Sequence, residues 1–93
     1  MSSTMDRTVV MLAVAEYLCR HGSVGIFRLV DDVVKKSEVK QALKLASPPA
    51  PGSNEWWRAY HAVLDAVRSL EREGLVKYLH SVGVVNWVVR RCL

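Results

Sequence analysis

The C-terminal part of the chain limits the fold most strongly, because it predicts a long amphipathic helix that ends at a glycine and leads directly into a β-hairpin. We predict the helix over residues 54–73, with Gly74 as its left-handed closing residue. The predicted buried stripe of this helix consists of Trp57, Tyr60, Val63, Leu64, Val67 and Leu70. The β-rich runs 75–80 and 84–90 follow. They are joined by residues 81–83, which end in glycine as a type I turn followed by a bulge requires.

The sequence before this unit predicts three helical segments and one short extended link. The first helix begins at Met5 and ends near His21, and the link at residues 22–25 is long enough to add one strand to a sheet formed elsewhere. The second helix covers residues 25–36, and the third covers residues 38–46. In the second helix the predicted core-facing residues are Phe27, Val30 and Val34, with Ile26 and Val33 beside them.

One folded domain is predicted over residues 5–93, after a flexible polar tail of residues 1–4. A chain of 93 residues that is 51% hydrophobic can build a single core. The proline-rich segment 47–53 is interpreted as an internal loop, because neither flank is large enough to fold alone. No apolar run approaches the roughly 20 residues of a membrane span. The start also lacks the features of a secretory signal, so we expect a cytoplasmic protein without membrane contact.

No arrangement of residues in the sequence predicts a catalytic site. The two cysteines and three histidines lack the paired spacing of a structural zinc site, and neither cysteine lies in a nucleophile motif. We therefore expect no enzyme activity, no metal and no cofactor. The scarcity of asparagine and glutamine beside abundant charge is a pattern of thermophile proteins.

The net charge of +4 favours anionic partners, of which nucleic acid is the commonest inside cells. Lys36, Lys40 and Lys44 recur every four residues in and just before the predicted third helix, so they share one face. Such a row either lies against phosphates or forms a solvated face. The charge pattern alone leaves both interpretations open.

The order of helix, short strand, helix, extra helical piece, long helix and hairpin resembles the winged-helix superfamily. The local similarity is the run V-R-S-L-E-R-E-G-L-V at residues 67–76, which resembles the junction of recognition helix and wing in many archaeal and bacterial winged-helix regulators. The resemblance implies an α+β, mainly helical fold with a three-helix core, an extra helical segment, a short first strand and a C-terminal hairpin wing. It also implies a transcriptional regulator or architectural protein that lays the long helix in the major groove of duplex DNA.

The resemblance implies contacts to DNA from the outward side of the long helix, and the lysine row is a further candidate. The candidates are Asn54, Arg58, His61, Asp65 and Arg68 on the helix and Lys36, Lys40 and Lys44 in the row. Arginine suits contacts with guanine or phosphate, and Asn54 either reads adenine or caps the helix.

A second interpretation is a winged-helix module that docks a protein within a transcription, replication or other multi-protein assembly. The hairpin connection 81–83 carries no lysine or arginine, and Glu55 and Asp65 lie on the supposed reading face. Residues 37–53 also replace the short turn that usually precedes the recognition helix. Each of these features weakens a plain DNA-reading role.

Trp56 and Trp57 point about 100° apart on a helix, so they do not both face one core. Since Trp57 lies in the predicted stripe, we expect Trp56 to be partly exposed. It then either anchors a partner or covers the proline-rich loop.

The last strand is apolar on both faces, because Val85, Trp87 and Val89 alternate with Val84 and Val88. Helices cover one face of a sheet, which leaves the other for a second copy of the chain. We therefore predict a homodimer with Val84 and Val88 in its interface.

Cys19 ends the first helix and Cys92 follows the last strand. If the short strand pairs antiparallel with the last strand, as the resemblance implies, the two sulfurs meet in an intrachain disulfide. A Cys92–Cys92 bridge across a dimer and two free thiols are the alternatives, and free thiols are the ordinary state in a reducing cytosol.

Overall fold

Four helices and a three-stranded antiparallel sheet make up residues 4–92, the part of the chain that the computed structural model describes. In chain order they are α1 (Thr4–His21), β1 (Ser23–Gly25), α2 (Ile26–Val33), α3 (Ser37–Ala42), α4 (Asn54–Arg72), β2 (Val76–Leu79) and β3 (Val84–Trp87). The fold is α+β and mainly helical, as predicted. Of the predicted tail, residues 1–3 lie outside the described residues, and Thr4 already belongs to α1.

The sheet has the strand order β1-β3-β2, and both pairings are antiparallel. Val85 in the central strand lies opposite Val24 of β1 and Tyr78 of β2. Since neighbouring residues point to opposite faces, these three side chains face the helices. The predicted short first strand is therefore present, and it pairs with the last strand.

The hydrophobic core lies where α1, α2 and α4 meet the inner face of the sheet. Each of these elements supplies side chains that are removed from solvent: Val14, Leu18, Leu29, Val30, Val33, Val63, Val67 and Val85. Valine dominates this set, and its β-branched shape packs well on a pleated sheet. No helix within residues 4–92 is long and apolar enough to cross a membrane.

Helix α3 ends at Ala42, earlier than the predicted end at residue 46. Lys44 adopts a left-handed backbone with φ of 58°. The Leu45 N–H donates to the Lys40 carbonyl at 2.8 Å, which closes the helix as a left-handed glycine usually does. The prediction was wrong here because a lysine in this position gives no sequence signal for closure. Helix α2 also ends early, at Val33.

The hairpin is shorter than predicted, and its strands are joined by residues 80–83. Gly83 closes the loop with φ of 64°, which matches the predicted left-handed glycine. Its carbonyl accepts the Ile26 N–H at 2.7 Å, so the loop is tied to the first residue of α2. The hairpin is therefore held against the helices near its tip.

Cys19 and Cys92 form an intrachain disulfide, with Cα atoms 5.3 Å apart and a sequence separation of 73. Of the three cysteine states considered from the sequence, the intrachain disulfide is the one present in the structure. The pairing of β1 with β3 brings the end of α1 beside the end of β3. The bridge fixes the chain after β3 to α1.

Candidate binding surface on helix α4

Helix α4 presents a well-defined exposed side, because capping and packing fix its rotation. The Ser53 hydroxyl accepts the Trp56 N–H at 3.2 Å at the start, and Gly74 closes the end with φ of 80°. Its buried residues are Trp56, Ala59, Val63, Leu64, Ala66, Val67 and Leu70. We define the outer face of α4 as the exposed residues on the side of the helix opposite the core, which are Asn54, Trp57, Arg58, His61, Asp65, Arg68 and Arg72. Glu55 and Glu71 are also exposed, on the flanks of this face.

All five contact candidates of the helix, Asn54, Arg58, His61, Asp65 and Arg68, lie on this outer face. Ser53, rather than Asn54, provides the N-cap, so the capping interpretation of Asn54 is wrong. The Arg58 guanidinium donates to the Leu43 carbonyl at 3.1 Å, which links α4 to the end of α3.

Ion pairing divides the cations of the chain into two groups. The four ion pairs found within residues 4–92 all use Glu16 or Asp32, and their cations are Arg20, Arg28, Lys35 and Lys36. None of these residues belongs to α4. The arginines of the outer face of α4 form no ion pair with any described residue, so their charge is available to an external anion. Asp65 lies on the same face, and Glu55 is exposed nearby.

The predicted lysine row is not a single helical face. Lys36 precedes α3 as its N-cap residue and pairs with Glu16 of α1 at 3.9 Å. Lys40 lies within α3 and is half-buried, whereas Lys44 follows the helix in a left-handed conformation. The even spacing in sequence therefore does not become an even row of charges.

Trp56 is buried at 5% exposure, whereas Trp57 is 43% exposed, so the expectation for the two tryptophans was wrong. The Trp56 indole N–H donates to the Asp31 carboxylate at 2.8 Å, which satisfies its polar atom inside the fold. Trp56 therefore cannot serve as the exposed partner anchor that the sequence predicted. Counting Ala59 and Ala66 as core residues would have rotated the predicted stripe toward Trp56.

Phe27 was predicted to face the core, but it is 55% exposed. The buried residues of α2 are Ile26, Leu29, Val30 and Val33, and Phe27 lies beside that stripe. We define the aromatic cluster as Phe27, Trp56, Trp57 and Tyr60. Trp56 and Tyr60 stack with centroids 5.8 Å apart, and Trp57 meets Trp56 edge-on at 4.9 Å. The ring centroids of Phe27 and Trp56 are 5.6 Å apart.

Aromatic contacts continue from this cluster toward the hairpin. His61 meets Tyr60 edge-on with centroids 5.5 Å apart, and Tyr78 of β2 contacts His80 at 4.1 Å. Burial raises the pKa of Tyr78, and the nearby Tyr60 raises it further. Tyr78 therefore stays protonated at neutral pH.

The outer face of the sheet is more polar than predicted. Val84 is half-buried opposite Leu79, but the next pair on that face is Asn86 and Lys77. Val88 is exposed and lies beyond the end of β3. The premise of two apolar faces was wrong, and the homodimer through Val84 and Val88 stays a prediction.

A groove of about 910 Å³ is lined by residues of α1, α4 and the end of α3. Its apolar lining includes Val10, Met11, Ala62 and Ala66. Arg7, Arg68 and Arg72 border it together with Asp6, Asp65 and Glu71. One side of the outer face of α4 therefore continues into this groove.

Within residues 4–92 no group of three histidine, cysteine, aspartate or glutamate side chains lies close enough to hold a metal ion. Comparison with known protein families, curated proteins and solved structures gave no match. A function for this chain can therefore be inferred only from the residues described above.

Proposed function

We propose that this chain is a winged-helix protein that binds duplex DNA through the outer face of α4, as a transcriptional regulator or an architectural protein. The layout supports the proposal. A short strand between the first two helices pairs with the last strand, and the hairpin follows directly after the longest helix. In that arrangement the long helix lies in the major groove, with the hairpin beside it.

The observation that carries the proposal is the unpaired charge on α4. Arg58, Arg68 and Arg72 are exposed on one face and form no ion pair within the described residues. A helix that presents several uncompensated guanidinium groups suits a phosphate backbone or guanine edges.

Binding of this kind releases counterions from DNA, so affinity should fall steeply as salt concentration rises. Arg58 and Arg68 lie about three turns, or roughly 15 Å, apart along the same face, where they can reach separate phosphates or base edges of one groove. Asn54 adds a hydrogen-bonding group at the start of the helix, and His61 adds one between the two arginines. The hairpin loop carries no lysine or arginine, so we assign it a minor share of the binding energy.

The experiment is a fluorescence-anisotropy titration of random-sequence duplex at low and physiological salt. Arg58→Ala and Arg68→Ala should each weaken binding by about tenfold, the effect of losing one good guanidinium contact. Arg20→Ala is the matched control, because it removes the same charge from α1, where Arg20 pairs with Glu16. Arg7 is unsuitable as a control, since it borders the same groove as Arg68.

Arg20→Ala should bind duplex as wild type does, within about twofold after its smaller net charge is taken into account. Equal losses in all three variants would show that binding follows net charge alone, and would contradict the role of α4. Absence of duplex binding at about 50 mM salt would contradict the proposal as a whole.

Protein docking within a multi-protein assembly is the second candidate function. It is favoured by Asp65 among the arginines of α4, by Glu55 nearby, and by the exposed Val82 at the tip of an uncharged hairpin loop. A chain that bound no duplex at low salt but associated with itself or another protein would support this candidate.

A further inference from the structure

We infer that Phe27 and Trp57 stack on unpaired bases, so that the preferred target is DNA with locally unstacked nucleotides rather than a fully paired duplex. The inference rests on the proposed function, and it adds the class of DNA that the surface selects. It is carried by the aromatic cluster, which DNA reading by arginines alone does not use.

The exposed rings are held on a fixed support. Trp56 is buried, stacks on Tyr60 and donates its indole N–H to Asp31 at 2.8 Å. Trp57 meets both of these rings edge-on, at 4.9 and 5.3 Å. Since the support does not have to be ordered on binding, little conformational entropy opposes stacking on the exposed rings.

Phe27 makes no contribution to the buried stripe of α2 that would explain a phenylalanine in this position. Its ring is 55% exposed and meets Trp57 edge-on at 6.5 Å. Two large rings from different helices thus lie side by side in solvent. The exposed faces of these two rings offer a surface on which a planar ligand can stack.

The charges next to the rings favour a nucleic acid. Arg58 and Trp57 share the outer face of α4, and His61 contacts Tyr60. Asp31 is occupied by Trp56, and Asp32 by Arg28 and other partners, which leaves Glu55 as the exposed acid nearby. Aromatic rings beside cations are the combination that binds unpaired nucleotides, because bases stack while the backbone meets the cations.

The size of the exposed aromatic surface suits bases better than a protein. Phe27 and Trp57 together expose roughly 200 Å² of ring surface at the usual area of such side chains. A stable protein interface buries about 800 Å² on each partner. Two rings are sufficient for one or two stacked bases.

The test compares three DNAs of one sequence: a fully paired duplex, the same duplex with a central mismatch bubble, and the single strand. Wild type should bind the bubble duplex about tenfold more tightly than the paired one, which is the effect of stacking one base on an aromatic ring. Phe27→Leu should reduce this preference, with affinity for the paired duplex unchanged within about twofold. Trp57→Leu should reduce the ratio of bubble to paired affinity, whatever its effect on binding to the paired duplex.

Leucine keeps an apolar side chain but removes the ring, so these variants separate stacking from simple apolar contact. Trp57→Phe keeps a ring and should retain the preference. Leu12→Ala is the matched surface control, because Leu12 is 54% exposed on α1, about as much as Phe27. Circular dichroism melting identifies any variant that fails to fold, and the other leucine variant then carries the test.

Equal affinity for paired and bubble duplex overturns the inference and leaves the proposed function standing. A bubble preference that persists in both leucine variants overturns the role of the rings. Binding to none of the DNAs overturns the proposed function as well. Self-association that is lost in Trp57→Leu, without any preference among the DNAs, would assign the rings to a protein contact and overturn the inference.

Discussion

Asp32 of α2 has three polar partners, of which Tyr17 lies on α1. It accepts the Tyr17 hydroxyl hydrogen bond and pairs with Arg28 at 3.7 Å and Lys35 at 3.8 Å. Burial raises the pKa of Tyr17, and the hydrogen bond to Asp32 and the charge of that carboxylate raise it further. The guanidinium of Arg28 acts in the opposite direction. The folded protein therefore holds Tyr17 in its protonated form more strongly than the unfolded chain does.

A raised folded-state pKa stabilises the protein fully below the ordinary tyrosine pKa, and this contribution is lost as pH rises through the raised value. Tyr17→Phe should lower the free energy of unfolding by about 1–2 kcal/mol at neutral pH, the contribution of a partly exposed hydrogen bond to a carboxylate. The difference between wild type and variant should shrink above about pH 10. Urea unfolding at several pH values measures it, and a difference that stays constant into the alkaline range would contradict the role of Tyr17.

The two adjacent tryptophans show where reasoning from single residues reaches its limit. The sequence predicts correctly that one of them faces the core and the other faces solvent, because neighbours on a helix point in different directions. Which one is buried depends on the partner surface. Ala59 and Ala66 are small enough to pack closely against other elements, and they turn the buried stripe toward Trp56. Alanine carries too weak a hydrophobic signal to reveal this from the sequence.

At the scale of elements, α3 is closed by a residue that is poorly suited to its conformation. Lys44 has φ of 58°, a region that costs a side chain with a Cβ roughly 1–2 kcal/mol. Lys44→Gly should therefore raise the free energy of unfolding by about 1 kcal/mol. Thermal or urea denaturation measures the change.

Gln41→Gly provides a control of opposite sign within the same helix. Gln41 is exposed inside α3, where glycine in place of a helix-forming residue costs about 1 kcal/mol. Equal destabilisation by both substitutions would mean that Lys44 is not strained, and would contradict the prediction. If Lys44 also contacts phosphate, the glycine variant gains stability while it loses affinity for DNA.

Helix ends that carry a usual capping residue or closing glycine were predicted well, and helix ends without one were not. The start of α4 follows Ser53, and its end precedes Gly74, so the predicted helix over residues 54–73 nearly matches Asn54–Arg72. The end of α3 has no glycine to mark it. The aromatic cluster joins α2 to α4, and its rings meet only because nonlocal packing brings the starts of the two helices together. Periodicity within one element does not contain that information.

At the scale of the whole molecule, the disulfide links the end of α1 to the chain after β3. A bridge that spans 73 positions restricts the unfolded chain and should contribute about 4 kcal/mol to stability. We expect Cys19→Ser, Cys92→Ser and reduced wild type to lose similar amounts, measured by urea unfolding with and without reductant. A midpoint that reductant leaves unchanged in wild type would contradict this contribution.

The overall arrangement could be predicted from the sequence, because periodicity and turn signals give the order of elements, and the pairing of β1 with β3 is what the winged-helix resemblance implies. That pairing also explains why Cys19 and Cys92 meet. Which cations form ion pairs could not be predicted from the sequence. Lys36 is drawn to Glu16 of α1, whereas the arginines of α4 remain outside ion pairs, and both outcomes depend on how distant helices pack.

The most direct test of DNA binding by the outer face of α4 is a map of NMR amide shift changes on addition of duplex DNA at low salt. Our account predicts that the largest changes lie within α4, at and beside Arg58, His61 and Arg68, with little change around Arg20 of α1. Changes concentrated on α1 or on the outer face of the sheet, with α4 unaffected, would contradict it.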